Sequence, residues 1–227
     1  MSLDVVALVP ALNESETIGA VVAGVSPHVR SVVVVDDGST DATAVVARAA
    51  GAFVLSHAQT MGKGQALRIG LNHVLDSANV DYVLLLDGDL QHRPDEAPQL
   101  IAAAQAENAD LVVGERQFER DAMPTSRYYA NLYGSAALSF FTGVPLRDTQ
   151  CGYRLLRTAM LRRLRLRATG YDIETEMLIK VSRLGGRITS VPVSAVYGPG
   201  PSKLRPVRDT TRTCFRAVFY RYIERLP

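Results

Sequence analysis

Residues 82–91 of the chain read YVLLLDGDLQ, an unbroken apolar run that ends in two carboxylates separated by a glycine. Such a run is typical of a strand buried on both faces, as in the parallel sheets of α/β proteins. Asp87 and Asp89 would then stand at the carboxyl edge of the sheet, where Gly88 allows both side chains to turn toward one ligand. Paired hard oxygen donors suit a divalent cation such as Mg²⁺, whose other ligands are often phosphate and water. A simple acidic loop has the same pattern, so the pair alone does not decide between the two.

The stretches around this strand predict an α/β sheet. Apolar or β-branched runs occur at 5–10, 31–36, 52–56 and 110–116, with Pro10 expected to end the first. Helical patterns alternate with them: one from a cap at Asn13 or Ser15 to about residue 25, and others at 42–50, from 61–66 onward, and from Pro94 to about Glu107. This alternation predicts a mostly parallel, doubly wound sheet with flanking helices. No Gly-x-Gly-x-x-Gly follows the first strand, which disfavours a dinucleotide-binding fold.

A glycine-rich stretch, MGKGQA at 61–66, begins the third helix. A helix N-terminus together with Lys63 favours an anion, so contact with a phosphate is one interpretation. The stretch lacks the upstream glycine and the Ser/Thr of a Walker A loop, and an ordinary glycine-bearing helix start fits it equally well.

The second half of the chain is less regular. We expect a helix at 128–141, a polar segment at 147–154 leading to a strand or turn, a helix beginning near 170, a strand at 187–197 and a break at 198–201. The helix near 170 carries three acids in its first turns, Asp172, Glu174 and Glu176. Acids there stabilise a helix through its dipole, and Asp172 and Glu176 would also share a face that could address a substrate.

Composition and charge exclude several classes of protein. The 227 residues are 47% hydrophobic and 21% charged, with no apolar run long enough for a membrane span and no signal peptide pattern. We therefore expect a cytoplasmic protein whose two cysteines are thiols rather than a disulfide framework. The net charge is +2, but residues 201–227 contain seven basic and two acidic residues and thus carry +5. The helix predicted there is basic and amphipathic, a type that can lie on an anionic membrane or pack on protein with its arginines solvated.

Six motifs occur in an order that resembles family 2 glycosyltransferases: PALNE at 10–14, VDDGSTD at 35–41, GKG at 62–64, LDGDLQH at 86–92, DTQCGYR at 148–154 and SKL at 202–204. Within that family the chain is most similar to dolichyl-phosphate or polyprenyl-phosphate mannose (or glucose) synthases. The resemblance implies one GT-A domain over residues 1–227. It would comprise a nucleotide-sugar half at 1–116, an acceptor half at 117–200 and a basic C-terminal helix at 201–227.

The resemblance also implies roles for individual residues. The nucleotide sugar would be bound by Pro10, Leu12, Asn13, Glu14, Asp36, Asp37, Lys63, Asp87, Gly88 and Asp89, with Glu14 near the ribose or base, Asp37 on the base and Asp36 supporting its loop. Mg²⁺ or Mn²⁺ would be held by Asp87, Asp89 and Gln91. The acceptor phosphate would contact Arg116, Arg127, Asn131, Ser202 and Lys203, although the family often has serine where Asn131 stands. The basic residues Arg116, Arg127 and Lys203 could equally hold the donor diphosphate. The catalytic residues would be Asp89, Arg116, Arg127, Asp148 and Asp172.

The implied function is inverting, metal-dependent transfer of a hexose from a nucleotide sugar, of the GDP-mannose or UDP-glucose type, to a polyprenyl or dolichyl phosphate. A lipid monophosphate is already nucleophilic at neutral pH, whereas a sugar hydroxyl needs a base, for which Asp148, Asp172 and Glu174 are the candidates. The expected partners are the donor, the lipid and the cytoplasmic face of a membrane, with a membrane subunit or a second copy as further options and no nucleic acid.

Other classes of protein share parts of the pattern. A phospho-acceptor signalling domain has acidic residues at a strand end, but after its first strand rather than its second, and a receiver module is shorter. A non-catalytic nucleotide-sugar-binding subunit has no need of Asp87, Asp89, Gln91, Arg116 and Arg127 together. A nucleotidyltransferase would share the sheet and the metal pair but release pyrophosphate.

Overall fold

The computed structural model describes residues 3–116, 135–136, 138–140, 142–143, 145–195, 216 and 218–223. These residues form one seven-stranded sheet with the order β3-β2-β1-β4-β6-β5-β7. Its strands are β1 Val5–Ala11, β2 Ser31–Asp36, β3 Phe53–Ser56, β4 Tyr82–Leu85, β5 Leu111–Arg116, β6 Arg154–Arg157 and β7 Ile188–Val193. Only β6 among them runs against the others, between β4 and β5, so the prediction of a mostly parallel sheet is confirmed.

The described helices flank this sheet. They are α1 Ile18–Val25, α2 Thr43–Ala49, α3 Lys63–Ser77, α4 Ala97–Glu107, α5 Thr158–Leu161 and α6 Ile173–Arg183, with 3₁₀ turns at Ser26–His28 and Pro94–Glu96 and a π-helical turn at Phe219–Ile223. The β1 and β4 side chains are almost wholly buried, which is why their sequences are continuously apolar. A single large core follows from this, with a small second cluster of Leu138, Ile179 and Tyr220.

Two boundaries near the N-terminus differ from the predictions. Strand β1 continues through Pro10 to Ala11, where it pairs with β2. Pro10 is tolerated there because the pairing with β4 stops at Leu8, so no strand on that side needs the N–H that proline lacks. Helix α1 begins at Ile18 rather than after Asn13 or Ser15. Asn13 is left-handed, with φ +54°, and its side chain joins the neighbouring loop instead of capping a helix.

Several predicted features fall on residues outside the described ranges. Within the helix predicted at 128–141, residues 135–136 and 138–140 are helical. The break at 198–201 and most of the basic C-terminal helix lie outside. None of the helices formed by the described residues is both long and apolar enough to cross a membrane.

Candidate active site at the carboxyl edge of the sheet

The turn after β4 places Asp87 and Asp89 at the carboxyl edge of the sheet, as the sequence predicts. The Thr17 hydroxyl donates to the Gly88 carbonyl at 2.7 Å, and the Gln91 amide donates to Asp89 Oδ1 at 3.1 Å. The turn also requires Leu90 to adopt the left-handed region, with φ +58°. These contacts fix the backbone that carries both carboxylates.

Lys63 connects this turn to the second half of the chain. Its Nζ lies 2.7 Å from Asp87 Oδ1 and 2.8 Å from Glu174 Oε1. Burial alone would lower the pKa of Lys63, but the two carboxylates outweigh it and raise that pKa above its ordinary value. For Asp87, burial raises the pKa, and the Lys63 charge reverses the effect so that the net shift is downward. Both groups therefore stay charged at neutral pH.

The pKa of Asp89 shifts upward, in the opposite direction to that of Asp87. Burial is the largest cause that raises its pKa, and the neighbouring charges of Asp87 and then Glu14 raise it further. A cation beside Asp87 and Asp89 would offset this repulsion, so the pair suits a hard divalent metal. No three His, Cys, Asp or Glu side chains within the described ranges converge as a metal cage.

The loops after β1 and β2 are joined to each other at the same edge. The Asn13 amide donates to Ser39 Oγ at 2.9 Å, and the Thr40 amide donates to Asn13 Oδ1 at 2.9 Å. The Glu14 amide donates to Thr43 Oγ1 at 2.8 Å. The predicted nucleotide-binding residues on these two loops are thereby brought together, with Pro10 and Leu12 partly exposed between them.

Asp36 and Asp37 both shape loops. Asp36 Oδ1 accepts from the Ser39 amide at 3.1 Å, within the loop that Asp36 is predicted to support. Asp37 is buried, and its oxygens accept from the amides of Met61 and Gly62 at 2.9 and 2.8 Å and contact His57 Nδ1 at 2.9 Å. Asp37 thus holds the entry to α3, and its predicted contact with the base stays a prediction.

The start of α3 is not open to an anion, contrary to one interpretation of the glycine-rich stretch. The amides of Gly64 and Gln65 donate to the Thr169 carbonyl at 3.0 and 3.3 Å. Gly62 has φ +98°, and a Cβ there would lie 2.5 Å from the same oxygen. Because the segment 165–170 covers this helix end, the phosphate interpretation of its amides is wrong. Lys63 remains as the charged group of the motif.

On the acceptor side, Asp148 holds Arg116. The fully buried Asp148 accepts from Arg116 Nε at 2.5 Å and from Arg116 Nη2 at 3.0 Å. A residue that sequence reasoning did not select, Arg154, fixes the loop behind this pair. It is wholly buried and donates to the carbonyls of Thr149, Cys151 and Glu174 at 2.6–2.8 Å. Its place at the end of the motif at 148–154 is the signal that could have identified it.

The acids at the start of α6 have separate partners and do not form one shared surface. Asp172 Oδ2 accepts from the Tyr220 hydroxyl at 3.2 Å. Glu176 accepts from the amides of Arg167 and Ala168 and from Lys180 Nζ, which lies 2.7 Å away. The interpretation that Asp172 and Glu176 together address a substrate is wrong, because Glu176 is fully buried among its own partners.

Comparison with known proteins identifies the family. The sequence model of the family described as glycosyl transferase family 2 matches residues 6–165 of this chain. The chain belongs to glycosyltransferase family 2. An undecaprenyl-phosphate mannosyltransferase of Micrococcus luteus is 33% identical over 205 residues, covering 85% of this chain and 83% of the relative. Glycosyltransferase AglJ of Haloferax volcanii is 34% identical over 209 residues, covering 89% and 67%.

A solved structure that is similar to this chain supports the same fold. Glucosyl-3-phosphoglycerate synthase of Mycobacterium tuberculosis, in complex with Mn²⁺ and UDP-glucose, matches with a TM-score of 0.74 and 27% identity, covering 96% of this chain and 79% of that one. This family 2 glycosyltransferase therefore has the GT-A-type architecture expected from its motifs. Four predicted acceptor-site residues, Arg127, Asn131, Ser202 and Lys203, lie outside the described residues, and their roles stay predictions.

Proposed function

We propose that this chain is an inverting, metal-dependent hexosyltransferase that moves a sugar from a GDP-mannose- or UDP-glucose-type donor to a polyprenyl phosphate. The observation that carries the proposal is the Asp87–Asp89 turn at the carboxyl edge of the sheet, with Lys63 against it. Open α/β sheets bind ligands at this edge. The relative that is 33% identical over most of the chain is named for transfer to undecaprenyl phosphate.

The donor end of the site must stabilise the departing nucleoside diphosphate. Asp87, Asp89 and Gln91 would hold Mg²⁺ or Mn²⁺, which neutralises charge on that diphosphate when bound. Lys63 orients Asp87 through the 2.7 Å contact and adds positive charge beside it. Arg116, fixed by Asp148, supplies a second cation toward the acceptor side.

Two of the three candidate bases are engaged by other side chains, and the third, Glu174, is paired with Lys63; this favours a phosphate acceptor over a hydroxyl acceptor. Asp148 is fully buried and occupied by Arg116, and Asp172 is buried against Tyr220. A base must be within reach of the proton it removes, and neither residue presents a free carboxylate to solvent. A phosphate monoester has a second pKa near about 6, so it attacks without a base. In-line attack on the anomeric carbon then gives inversion.

The C-terminal segment would bring the enzyme to its lipid. Val218, Phe219, Tyr222 and Ile223 are 37–66% exposed, beside Arg216 and Arg221. Apolar side chains flanked by arginines favour an anionic membrane surface. These exposed residues support the proposal that the protein lies peripherally on the cytoplasmic face of a membrane.

A transfer assay tests the proposed function. The purified chain is incubated with Mn²⁺ and a polyprenyl phosphate, with labelled GDP-mannose and UDP-glucose in separate reactions, and label is followed into the organic phase. We expect lipid-linked product from one donor and its loss in Asp89→Ala. Asp76→Ala, an exposed acid at the far end of α3, is the matched control and should retain transfer. Donor consumption without lipid product from either nucleotide would contradict the polyprenyl-phosphate acceptor.

A further inference from the structure

The three acids at the start of α6 are all at least nine-tenths buried, and Glu174 among them carries a buried oxygen without a described hydrogen-bond donor. Asp172 contacts Tyr220, and Glu176 contacts Lys180 and two amides. Glu174 is 4% exposed; its Oε1 contacts Lys63, while its Oε2 is buried and has no hydrogen-bond donor among the described residues. Leaving a buried carboxylate oxygen unsatisfied costs free energy, and the helix dipole does not require burial. Glu174 therefore needs a further explanation.

The position of Glu174 is fixed on both its backbone and its side chain. Its carbonyl accepts from Arg154 Nη1 at 2.6 Å, and Arg154 also binds the loop that contains Gly152. A Cβ on Gly152 would lie 2.4 Å from Asp87 Oδ2, so that loop packs directly on the carboxylate turn. Glu174 is thus a preorganised acceptor rather than a mobile side chain.

The Lys63 ammonium places Glu174 beside the donor site. Nζ is within 2.8 Å of both Asp87 and Glu174, so the two carboxylates contact the same nitrogen atom. The Tyr171 ring, 40% exposed, has its centroid 5.7 Å from the same nitrogen. A partly open aromatic ring with one fixed polar acceptor is a common lining for a small polar ligand.

We propose that Glu174 Oε2 accepts a hydrogen bond from a hydroxyl of the transferred sugar and selects uncharged hexoses over uronic acids. This inference rests on the proposed function, and it names a specificity-determining contact within that site. A neutral hexose offers hydroxyl donors to the carboxylate. The carboxylate of a uronic acid offers a second negative charge to a buried anion, which is a repulsive element against the wrong donor.

Calorimetric binding of donors that differ only at the sugar tests this inference. Wild type is titrated, with Mn²⁺, with UDP, UDP-glucose and UDP-glucuronate, and with GDP, GDP-mannose and GDP-mannuronate. In the nucleotide series that binds, we expect the hexose donor to bind at least about tenfold more tightly than the uronate donor. Glu174→Gln should bring that ratio close to one. Glu174→Asp, which keeps the charge, should still disfavour the uronate.

Circular dichroism establishes that each variant is folded, and Glu174→Asp decides the question if Glu174→Gln is not. An unchanged hexose-to-uronate ratio in folded Glu174→Gln would overturn the inference while leaving the proposed function intact. Glu176→Gln is the matched control, since Glu176 is buried two residues away on the same helix and pairs with Lys180 rather than Lys63. An equal change of ratio in folded Glu176→Gln would also overturn the inference, because the effect would then belong to helix charge in general. Absence of binding to every nucleotide would overturn the proposed function itself.

Discussion

Apart from the contacts of Asp87 with Lys63 and of Asp37 with His57, the two halves of the chain hold the acidic groups of the site in different ways. In the nucleotide-sugar half, Asp36 and Asp37 lie at a strand end and accept hydrogen bonds from main-chain amides of nearby loops. In the acceptor half, Asp148 and Glu176 are fully buried against the cations Arg116 and Lys180. An amide can turn to water when its acceptor is lost, whereas a buried ion whose partner is lost cannot. The acceptor half should therefore be the less tolerant of single substitutions.

Arg154→Met gives the largest expected effect on stability. The substitution roughly keeps the volume but leaves the carbonyls of Thr149, Cys151 and Glu174 without their donor. We expect the free energy of unfolding to fall by about 3 kcal/mol or more, measured by urea denaturation. Arg93→Met is the control, because Arg93 is exposed and pairs with exposed Asp95, and it should leave the midpoint unchanged. Equal midpoints for the two variants would remove the contrast between the halves.

Gly62→Ala tests the contact between the halves, where the segment 165–170 covers α3. The new Cβ would require φ +98° from alanine and would meet the Thr169 carbonyl at 2.5 Å. Gly51→Ala imposes similar strain, with φ +97°, but has no atom within 4 Å. We expect a loss of about 2–3 kcal/mol for Gly62→Ala and about 1 kcal/mol for Gly51→Ala, measured by thermal or urea unfolding. Similar losses would mean that α3 does not depend on this packing.

His92, which contacts Cys151 of the acceptor half, should make the free energy of unfolding depend on pH. Its ring is buried and Nε2 lies 3.6 Å from Cys151 Sγ; burial lowers its pKa from 6.5 to about 4. Because the folded pKa lies below the unfolded value, the unfolded chain binds the proton first. The stability present above pH 6.5 is therefore lost as pH falls from 6.5 toward 4. Between pH 7 and pH 5 we expect His92 to account for a loss of about 2 kcal/mol.

Urea unfolding at both pH values, compared with His92→Gln, isolates this contribution. The variant should lose less stability than wild type over the same interval. A wild-type slope equal to that of the variant would show that His92 is protonated as easily in the folded chain as in the unfolded one.

Asp37→Asn gives the smallest expected effect, in the nucleotide-sugar half. One carboxylate oxygen is replaced by an NH₂ group, so one of the amides of Met61 and Gly62 loses its acceptor. We expect a loss of about 1 kcal/mol, since the freed amide can turn to solvent. Asp76→Asn, on the exposed end of α3, should cause no change in the same urea experiment. A loss in Asp37→Asn as large as in Arg154→Met would contradict the difference between the halves.

The same contrast explains what could be predicted from the sequence. The strands of the nucleotide-sugar half follow from long apolar runs, and the place of Asp87 and Asp89 follows from the end of one such run. Strand β6 could not be predicted with its partners, because its four residues, RLLR, begin and end in arginine and insert antiparallel between β4 and β5. The order of a sheet is set by long-range packing rather than by local pattern.

The contacts that join the two halves could not be predicted from the sequence either. Lys63 and Glu174, or Gly64 and Thr169, are distant in the chain and carry no local pattern that pairs them. The glycines at 62 and 64 signalled a close approach of backbone, but the partner is a carbonyl of the chain itself rather than a phosphate.

In the proposed function, the Asp87–Asp89 turn binds a nucleotide sugar through a divalent metal. The most direct test is calorimetric titration of UDP-glucose and GDP-mannose with and without Mn²⁺, in wild type and in Asp89→Ala. We expect Mn²⁺ to tighten binding of one donor by about tenfold or more in wild type, equivalent to about 1.4 kcal/mol, and to have no effect in the variant. Donor binding that is independent of Mn²⁺ in wild type, or equally metal-dependent in Asp89→Ala, would contradict the account.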